Sequence, residues 1–476
     1  MTALVWFRSD LRMADNPALS WACEQDNNVV GVCFITESQW QQHGLGPRKI
    51  QLLKNRMLML KSELAEKNIP LLILNAGTYS ASIKQLKNLI SELQVQTVCF
   101  NNEYEVNERH RDISFSRLCA ELGVTVNRFH DQCIIPPGEV TTRQDTPFKV
   151  FTPFKKAWLA HPQLDGHYSI RPLPAPAARK LSQTLKDQLR HCQDSTELPE
   201  FVPDALWPVS EESAHQALDN FVEQQLKDYK KQRDIPAING TSRLSFFLSL
   251  GILSPRQCMH SARNANEGRL AEGNEGITCW ISELIWREFY RHLLVAFPDL
   301  CKHKAFKPET EGVRWRRSEK DFNAWCEGRT GVPIVDAAMK QLQDEGWMHN
   351  RLRMIVAMFL TKNLLIDWRR GEAFFNYWLV DADLAANNGG WQWSASTGAD
   401  GAPYFRVFNP VSQSERFDSE GEFIARMLPE LAPLDAKERH FPAQKLRSTL
   451  KYPQAIVDLK ASRQRAIDAF REAGSG

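Results

Sequence analysis

The sequence predicts a two-part chain: an open, parallel, doubly wound α/β sheet followed by an all-helical domain. Three observations carry that expectation. Over residues 1–130 short apolar bursts alternate with amphipathic stretches, as in βαβ units. Residues 131–205 break periodicity with Pro136, Pro137, Pro172, Pro174, Pro176 and Pro199. Beyond residue 206 the strand signal vanishes, and nine of the fourteen tryptophans fall between Trp280 and Trp393. A length of 476 residues fits two or three domains. The expected division is therefore an α/β domain over 1–130, an interdomain linker over 131–205, and a helical domain over 206–476.

In chain order, Leu4–Phe7, Val29–Ile35, Pro70–Leu74, Thr97–Asn101 and Val124–Phe129 read as strands buried on both faces. Between them, Ile50, Leu53, Met57, Leu60 and Leu64 recur at helical spacing, as do Ile83, Leu86, Ile90 and Leu93. Ligands are then expected beyond the carboxyl ends of the strands. The first such loop, Arg8-Ser9-Asp10-Leu11-Arg12, carries neither GxGxxG nor a P-loop, which argues against a standard dinucleotide or ATP site. The linker is expected to wrap the surface. Ser254-Pro255 reads as an N-cap followed by proline in the first helical turn.

Composition narrows the function. Hydrophobic residues at 43% and charged residues at 24% exclude extended disorder. A net charge of +2 excludes a histone-like blanket of charge but leaves room for a local basic face. Ten scattered cysteines without a CxxC pair suggest neither a zinc ribbon nor a disulfide framework. The start, Met1 to Trp6 and then Arg8 and Asp10, is unlike a signal peptide, and no apolar run reaches the ~20 residues of a membrane span. The expectation is a cytoplasmic protein without a membrane association.

Four constellations could carry chemistry. In Tyr229, Arg233 and Thr241-Ser242-Arg243-Leu244-Ser245, hydroxyls and cations at a helix start suit a phosphate, with an ordinary helix cap as the other reading. In Trp280–Tyr290, helical spacing puts Glu283 beside Trp280, Trp286 and Arg287; an acid desolvated between indoles competes with a plain Glu–Arg surface pair. In Trp347–Met354, Asn350, Arg353 and Met354 share a stripe, while His349 lacks companions at ligand spacing and reads as structural, with no metal expected. In Asp381–Trp393, paired acids, amides, glycines and indoles follow no packing period. They suit the edge and face of a heterocycle better than a loop between helices.

On these motifs, together with Val5–Arg12 at one end and Asn409-Pro410 at the other, the chain resembles the cyclobutane pyrimidine dimer DNA photolyases of the folate class, within the photolyase/cryptochrome family. The resemblance runs nearly end to end. It implies light-driven repair of cyclobutane pyrimidine dimers in UV-damaged DNA, a lyase reaction begun by an electron from excited FADH⁻. FAD would be bound by Tyr229, Thr241, Ser242, Arg243, Leu244, Ser245, Trp280, Arg287, Asn350, Arg353, Asp381, Ala382, Asp383 and Asn387, with Asn387 facing flavin N5. Glu283, Trp286, Asn350, Met354 and Trp393 would meet the flipped dimer, Glu283 donating a hydrogen bond to it. Arg233, Arg351, Arg406 and Gln413 would meet the DNA backbone. Trp391, Trp368 and Trp315 would relay electrons to the flavin; Trp325, Trp347 and Trp378 read as core.

The resemblance also implies a methenyltetrahydrofolate antenna at His43, Asn107, Glu108, Arg109, Cys301 and Lys302, with a deazaflavin as the alternative. It implies a monomer with no obligate protein partner, associated with the nucleoid when on DNA. A blue-light photoreceptor of the cryptochrome type, including the single-strand-restricted DASH kind, is the rival reading.

Overall fold

The computed structural model describes residues 2–26, 28–164, 170–193 and 198–474. They form two compact units. One comprises residues 1–148, 152–226 and 242–296; the other comprises 149–151, 227–241 and 297–476. This division by packing cuts across the sequence order, because residues 242–296 cluster with the sheet.

The first unit is built on five parallel strands, β1 Thr2–Trp6, β2 Asn28–Ile35, β3 Leu71–Asn75, β4 Thr97–Asn101 and β5 Thr125–Phe129, in the order β3-β2-β1-β4-β5. Alternate residues feed two cores. Leu4, Trp6, Val30, Val32 and Phe34 join one cluster, while Ala3, Val5, Val29, Cys33 and Ile35 join the other. A strand covered on both faces needs apolar residues at nearly every position, which is why β1 to β4 are apolar runs in the sequence. Strand β5 departs from the expectation of burial on both faces, because it lies at the sheet edge and its residues, Asn127 and Arg128 among them, are half-buried or exposed. The helix Tyr79–Glu92 starts at Thr78, whose hydroxyl accepts from Ala81 N at 3.3 Å. Thr78→Ala is expected to cost about 1 kcal/mol, visible as faster hydrogen exchange in that first turn.

After β5, most described residues of 141–205 are exposed or half-buried, but parts of the stretch turn inward. Asp131 and Trp158 are buried. Asp131 Oδ1 accepts from Arg12 Nη2 at 2.5 Å and Arg256 Nη2 at 2.6 Å, and Asp15 Oδ2 accepts from Arg256 Nε at 2.9 Å. Burial alone raises the Asp131 carboxyl, but Arg12 and Arg256 outweigh it and hold it below the usual carboxylate range. Proline spacing marks breaks in periodicity; it carries no information about charges paired across the chain. Ser254 and Gln257 form a capping box, with Pro255 in the first turn as the sequence predicts. Gly251, at φ +72°, ends the helix Ser245–Leu250, and a Cβ there would lie 2.1 Å from Ser9 O.

The second unit is helical around Trp325, Trp368 and Trp391, all buried. The helix Trp368–Trp378 passes Trp391 at Gly371, where a Cβ would overlap the indole at 2.1 Å. The segment Asp381–Trp393 corrects the expectation of no packing period. It is a helix from Leu384 to Ala395, capped by Asp383 Oδ1 accepting from Ala386 N at 2.9 Å. Ala385, Asn388, Trp391, Gln392 and Ala395 are its buried face. Packing of that face overrides the cost of about 1 kcal/mol that each glycine brings to a helix, and buried amides disguise the period. Among the described residues no helix is long and apolar enough to cross a membrane.

Candidate functional site

The helix Leu384–Ala395 presents Asn387 on its half-buried side. Asn387 Nδ2 donates to Glu372 O at 3.0 Å, which orients the amide and leaves Oδ1 without a hydrogen bond among the described residues. One turn on, a Cβ at Gly390 would meet nothing within 4 Å, so this face borders open space. Asp381 sits just before the helix and takes Arg353 Nη2 on both oxygens, at 3.1 and 2.8 Å. Arg353 Nε donates to Met348 O at 2.8 Å. Ala382 is buried beside Asp381, and Asp383 is committed to its cap.

Two buried donors lie on the same segments, Trp391 four residues after Asn387 and His349 four residues before Arg353. Trp391 Nε1 and His349 Nε2 have no partner among the described residues. His349 Nδ1 accepts from Arg351 N at 3.2 Å, so its proton stands on Nε2, and burial holds the imidazole down to about 4. His349 is thus a neutral helix cap, but not a fully satisfied one, since its Nε2 proton is left without an acceptor among the described residues. Open space beside Asn387, a free amide oxygen and orphaned N–H groups fit a large polar heterocycle such as FAD.

Around the start of the helix Asn350–Met358, Asn350 is exposed while Arg351 and Met354 are half-buried. Arg351 Nη2 bonds Asp234 Oδ1 at 2.8 Å and stacks over Phe417 at 4.4 Å; Arg233 lies over Tyr229 at 5.3 Å. Arg406 is exposed, and Gln413 and Trp393 are half-buried. Tyr229 is buried and Thr241 half-buried in the same unit.

The remaining flavin candidates lie on the first unit. Arg243 has φ +51° and places its guanidinium 5.3 Å from the Trp207 ring, with Ser242 Oγ accepting from Leu244 N at 3.4 Å. Ser245 opens the following helix. On the helix Glu275–Ala296, Trp280 is buried against Phe221 at 5.0 Å. Glu283 and Trp286 are half-buried, and Arg287 Nη1 donates to Gln132 O at 2.5 Å.

For the electron relay, Trp391 and Trp368 share the buried core, and half-buried Trp315 packs at its margin against Phe470 at 5.8 Å. Trp325, read as core, touches Trp391 at 6.0 Å and donates from Nε1 to Val356 O at 3.1 Å.

Four of the antenna candidates, His43, Asn107, Glu108 and Arg109, follow the carboxyl ends of β2 and β4. Glu108 lies in the first turn of Val106–Glu121 and accepts from Tyr79 Oη at 2.7 Å, with His43 Nδ1 at 3.5 Å. His43 Nε2 accepts from both Gln39 and Asn107 side-chain amides at 3.0 Å, so its proton stands on Nδ1, toward Glu108. Glu108 Oε2 accepts no hydrogen bond among the described residues. Arg109 is half-buried beside it in sequence. On the other unit, Cys301 is half-buried and Lys302 pairs with Asp299 at 3.1 Å. Sequence reasoning missed Tyr79 and Gln39, although both follow carboxyl strand ends, where a doubly wound sheet puts its ligand groups.

The chain is similar to known proteins along its whole length. Residues 3–177 match the family described as DNA photolyase, and residues 280–472 match the FAD binding domain of DNA photolyase. The chain is 45% identical over 490 residues to the deoxyribodipyrimidine photo-lyase of Escherichia coli, covering 100% of this chain and 99% of that one. It is 46% identical over 481 residues to the enzyme of the same name from Salmonella typhimurium, again covering 100% and 99%. Among solved structures, a class III photolyase from Agrobacterium tumefaciens superposes with a TM-score of 0.84 at 33% identity, covering 100% of this chain and 98% of that one. A cryptochrome from Synechocystis does so at 0.86 and 25%, covering 98% and 99%. Two family matches along one chain, with relatives this similar over their full length, establish that the chain belongs to the photolyase/cryptochrome family, among its class I deoxyribodipyrimidine photolyases, and binds FAD.

Proposed function

We propose that this chain repairs cyclobutane pyrimidine dimers in DNA, using light and a reduced FAD whose N5 side faces Asn387. The observation that carries the reading is the oriented Asn387 amide. Its Nδ2 is held by Glu372 O, which leaves Oδ1 as an acceptor on the open face. Bound FAD supplies the redox chemistry, and the residues around it set position and charge. Arg353 and Asp381 bind as a fixed pair, so one cation and one anion are held ready without an uncompensated charge. Tyr229, Thr241 and Ser242–Ser245 hold the pyrophosphate side.

Enzymes that act on a base within a duplex, photolyases among them, first take it out of the stack, which costs least at a damaged step. Arg233, Arg351, Arg406 and Gln413 position the DNA backbone, and Glu283, Trp286, Asn350, Met354 and Trp393 receive the dimer. Phosphate contacts give placement and the lesion's shape gives selectivity. Methenyltetrahydrofolate is the antenna this reading favours, held through Glu108 with His43, Asn107, Arg109, Cys301 and Lys302. The protein acts as a cytoplasmic monomer.

The test is blue-light treatment of an oligonucleotide carrying one thymine dimer. Restoration of the pyrimidines in the light and none in the dark is expected; no restoration on single- or double-stranded DNA favours the photoreceptor reading. Asn387→Asp places a carboxylate toward the flavin and is expected to disfavour its reduction, read as a lower midpoint potential in a reductive titration.

A further inference from the structure

The hydrogen bonds behind Asn387 run outward to the surface. Asn387 Nδ2 donates to the backbone oxygen of Glu372, whose side chain is buried. Glu372 Oε1 accepts from Asn388 Nδ2 at 2.8 Å, and Oε2 from His303 Nδ1 at 2.7 Å. Asn388 Oδ1 in turn accepts from Gln392 Nε2 at 2.9 Å, and Gln392 is anchored by Phe306 N at 2.8 Å and Lys304 O at 3.1 Å. The far end of the chain is open: the His303 side chain is 55% exposed.

His303 is held where it is. Its backbone has φ +56°, a left-handed conformation that ends the turn Pro298–Lys302, and Arg369 Nε donates to its carbonyl at 2.6 Å. The charges around the imidazole are few. From the helix Trp368–Trp378 come Glu372 and Arg369, and Arg369 is itself bonded to Glu311 and Asp367. From its own turn come Asp299, Lys302 and Lys304, which pair with one another. The helix Leu384–Ala395 contributes only the neutral amides Asn387, Asn388 and Gln392. The hydrogen bond to Glu372 raises the His303 imidazole above its usual range, with burial and Arg369 opposing.

We propose that His303 is a positioning residue that tunes the flavin site through Glu372: its imidazolium cancels the buried carboxylate behind Asn387, and its neutral form leaves that negative charge uncompensated. The proposal rests on the reading that Asn387 faces the flavin. Protonation occurs from solvent at Nε2, while the Nδ1 proton stays on the ring and is donated to Glu372 Oε2. Because the histidine gains a partner, the imidazolium form persists below its raised value and is lost as pH climbs through it. Reduction adds negative charge at the flavin, so low pH favours it. By reciprocity, reduction draws a proton onto His303.

The test uses FAD-loaded protein as wild type, His303→Gln, His303→Lys and Asn387→Asp. The flavin midpoint potential and the FAD dissociation constant are measured across the histidine range, with the His303 ring followed by nitrogen NMR. In the wild type, the reduced-to-oxidised ratio at fixed potential should fall about fivefold as His303 deprotonates, the low end of typical site-to-site coupling. That component should vanish in His303→Gln, which stays at the high-pH level, and His303→Lys should restore the low-pH level throughout. The His303 NMR titration should move upward when the flavin is reduced. If His303→Gln keeps the wild-type profile while Asn387→Asp still lowers the potential, the proposal is overturned and the Asn387 reading stands. If Asn387→Asp changes nothing, the placement of Asn387 falls and the proposal falls with it.

Discussion

A Trp315→Phe protein is expected to lose light-driven flavin reduction while keeping full repair once its flavin has been reduced chemically. Trp391 and Trp368 are enclosed in the helical core, where no reductant from solvent reaches them. Trp315 is half-buried at the margin of that core, with Phe470 edge-on at 5.8 Å, so it is the one member of the set with an exchangeable face. Phenylalanine keeps the apolar contact with Phe470 and Val313 but has a ring far harder to oxidise. Trp325→Phe is the matched control: its indole touches Trp391 at 6.0 Å but is wholly buried, with Nε1 held by Val356 O. Flavin absorbance under blue light with an external donor reads the first activity, and repair after dithionite treatment reads the second. Equal loss of both would remove Trp315 from the relay.

The second large effect concerns Glu283 and Trp286. On the helix Glu275–Ala296, Ile281, Leu284, Ile285, Glu288 and Phe289 are the buried side, and Glu283 and Trp286 stand half-buried off it. The Trp286 ring is braced edge-on by Phe289 and tilted against Tyr290, both at 5.6 Å. A braced indole offers a rigid face, which suits the stacking role proposed for Trp286 beside Glu283. Glu283→Ala is expected to weaken binding of the lesion by about 1.5–3 kcal/mol, the worth of one hydrogen bond to a charged group, and to lower ring splitting per absorbed photon. Trp286→Ala should mainly lose the preference for damaged over undamaged DNA, since stacking on a base is worth about 1–3 kcal/mol. Quantum yield at saturating enzyme and binding to lesion and control duplexes, for both variants, make the comparison. An unaltered yield and affinity in Glu283→Ala would reduce that residue to a surface acid.

Much of this molecule was legible in the order of its residues. The five parallel strands appear within a residue or so of their expected positions; β1 to β4 were legible because their apolar runs are buried in the sheet, whereas the edge strand β5 carries Asn127 and Arg128 and has no buried residue. The helix start at Ser254 was legible for a local reason: cap and first turn are neighbours in sequence. The candidate residues near Asn387 stood out because amides, acids and glycines in one stretch are poor packing material. Their helical period did not, since Asn388 and Gln392 occupy positions where hydrophobic periodicity looks for apolar side chains.

Sequence by itself determined the doubly wound sheet, the helical second half and the motifs that join this chain to its family, because these rest on period, propensity and the spacing of near neighbours. Tertiary structure alone decided which charges pair across long separations. It set Asp131 between Arg12 and Arg256, oriented Asn387 on Glu372, and ran the line from Glu372 out to His303. Such contacts join residues from about 15 to 125 positions apart, and a buried charge or amide shows in sequence only as a polar letter. Its partner is chosen by the packing that excludes water around both, which makes the unpaired state costly.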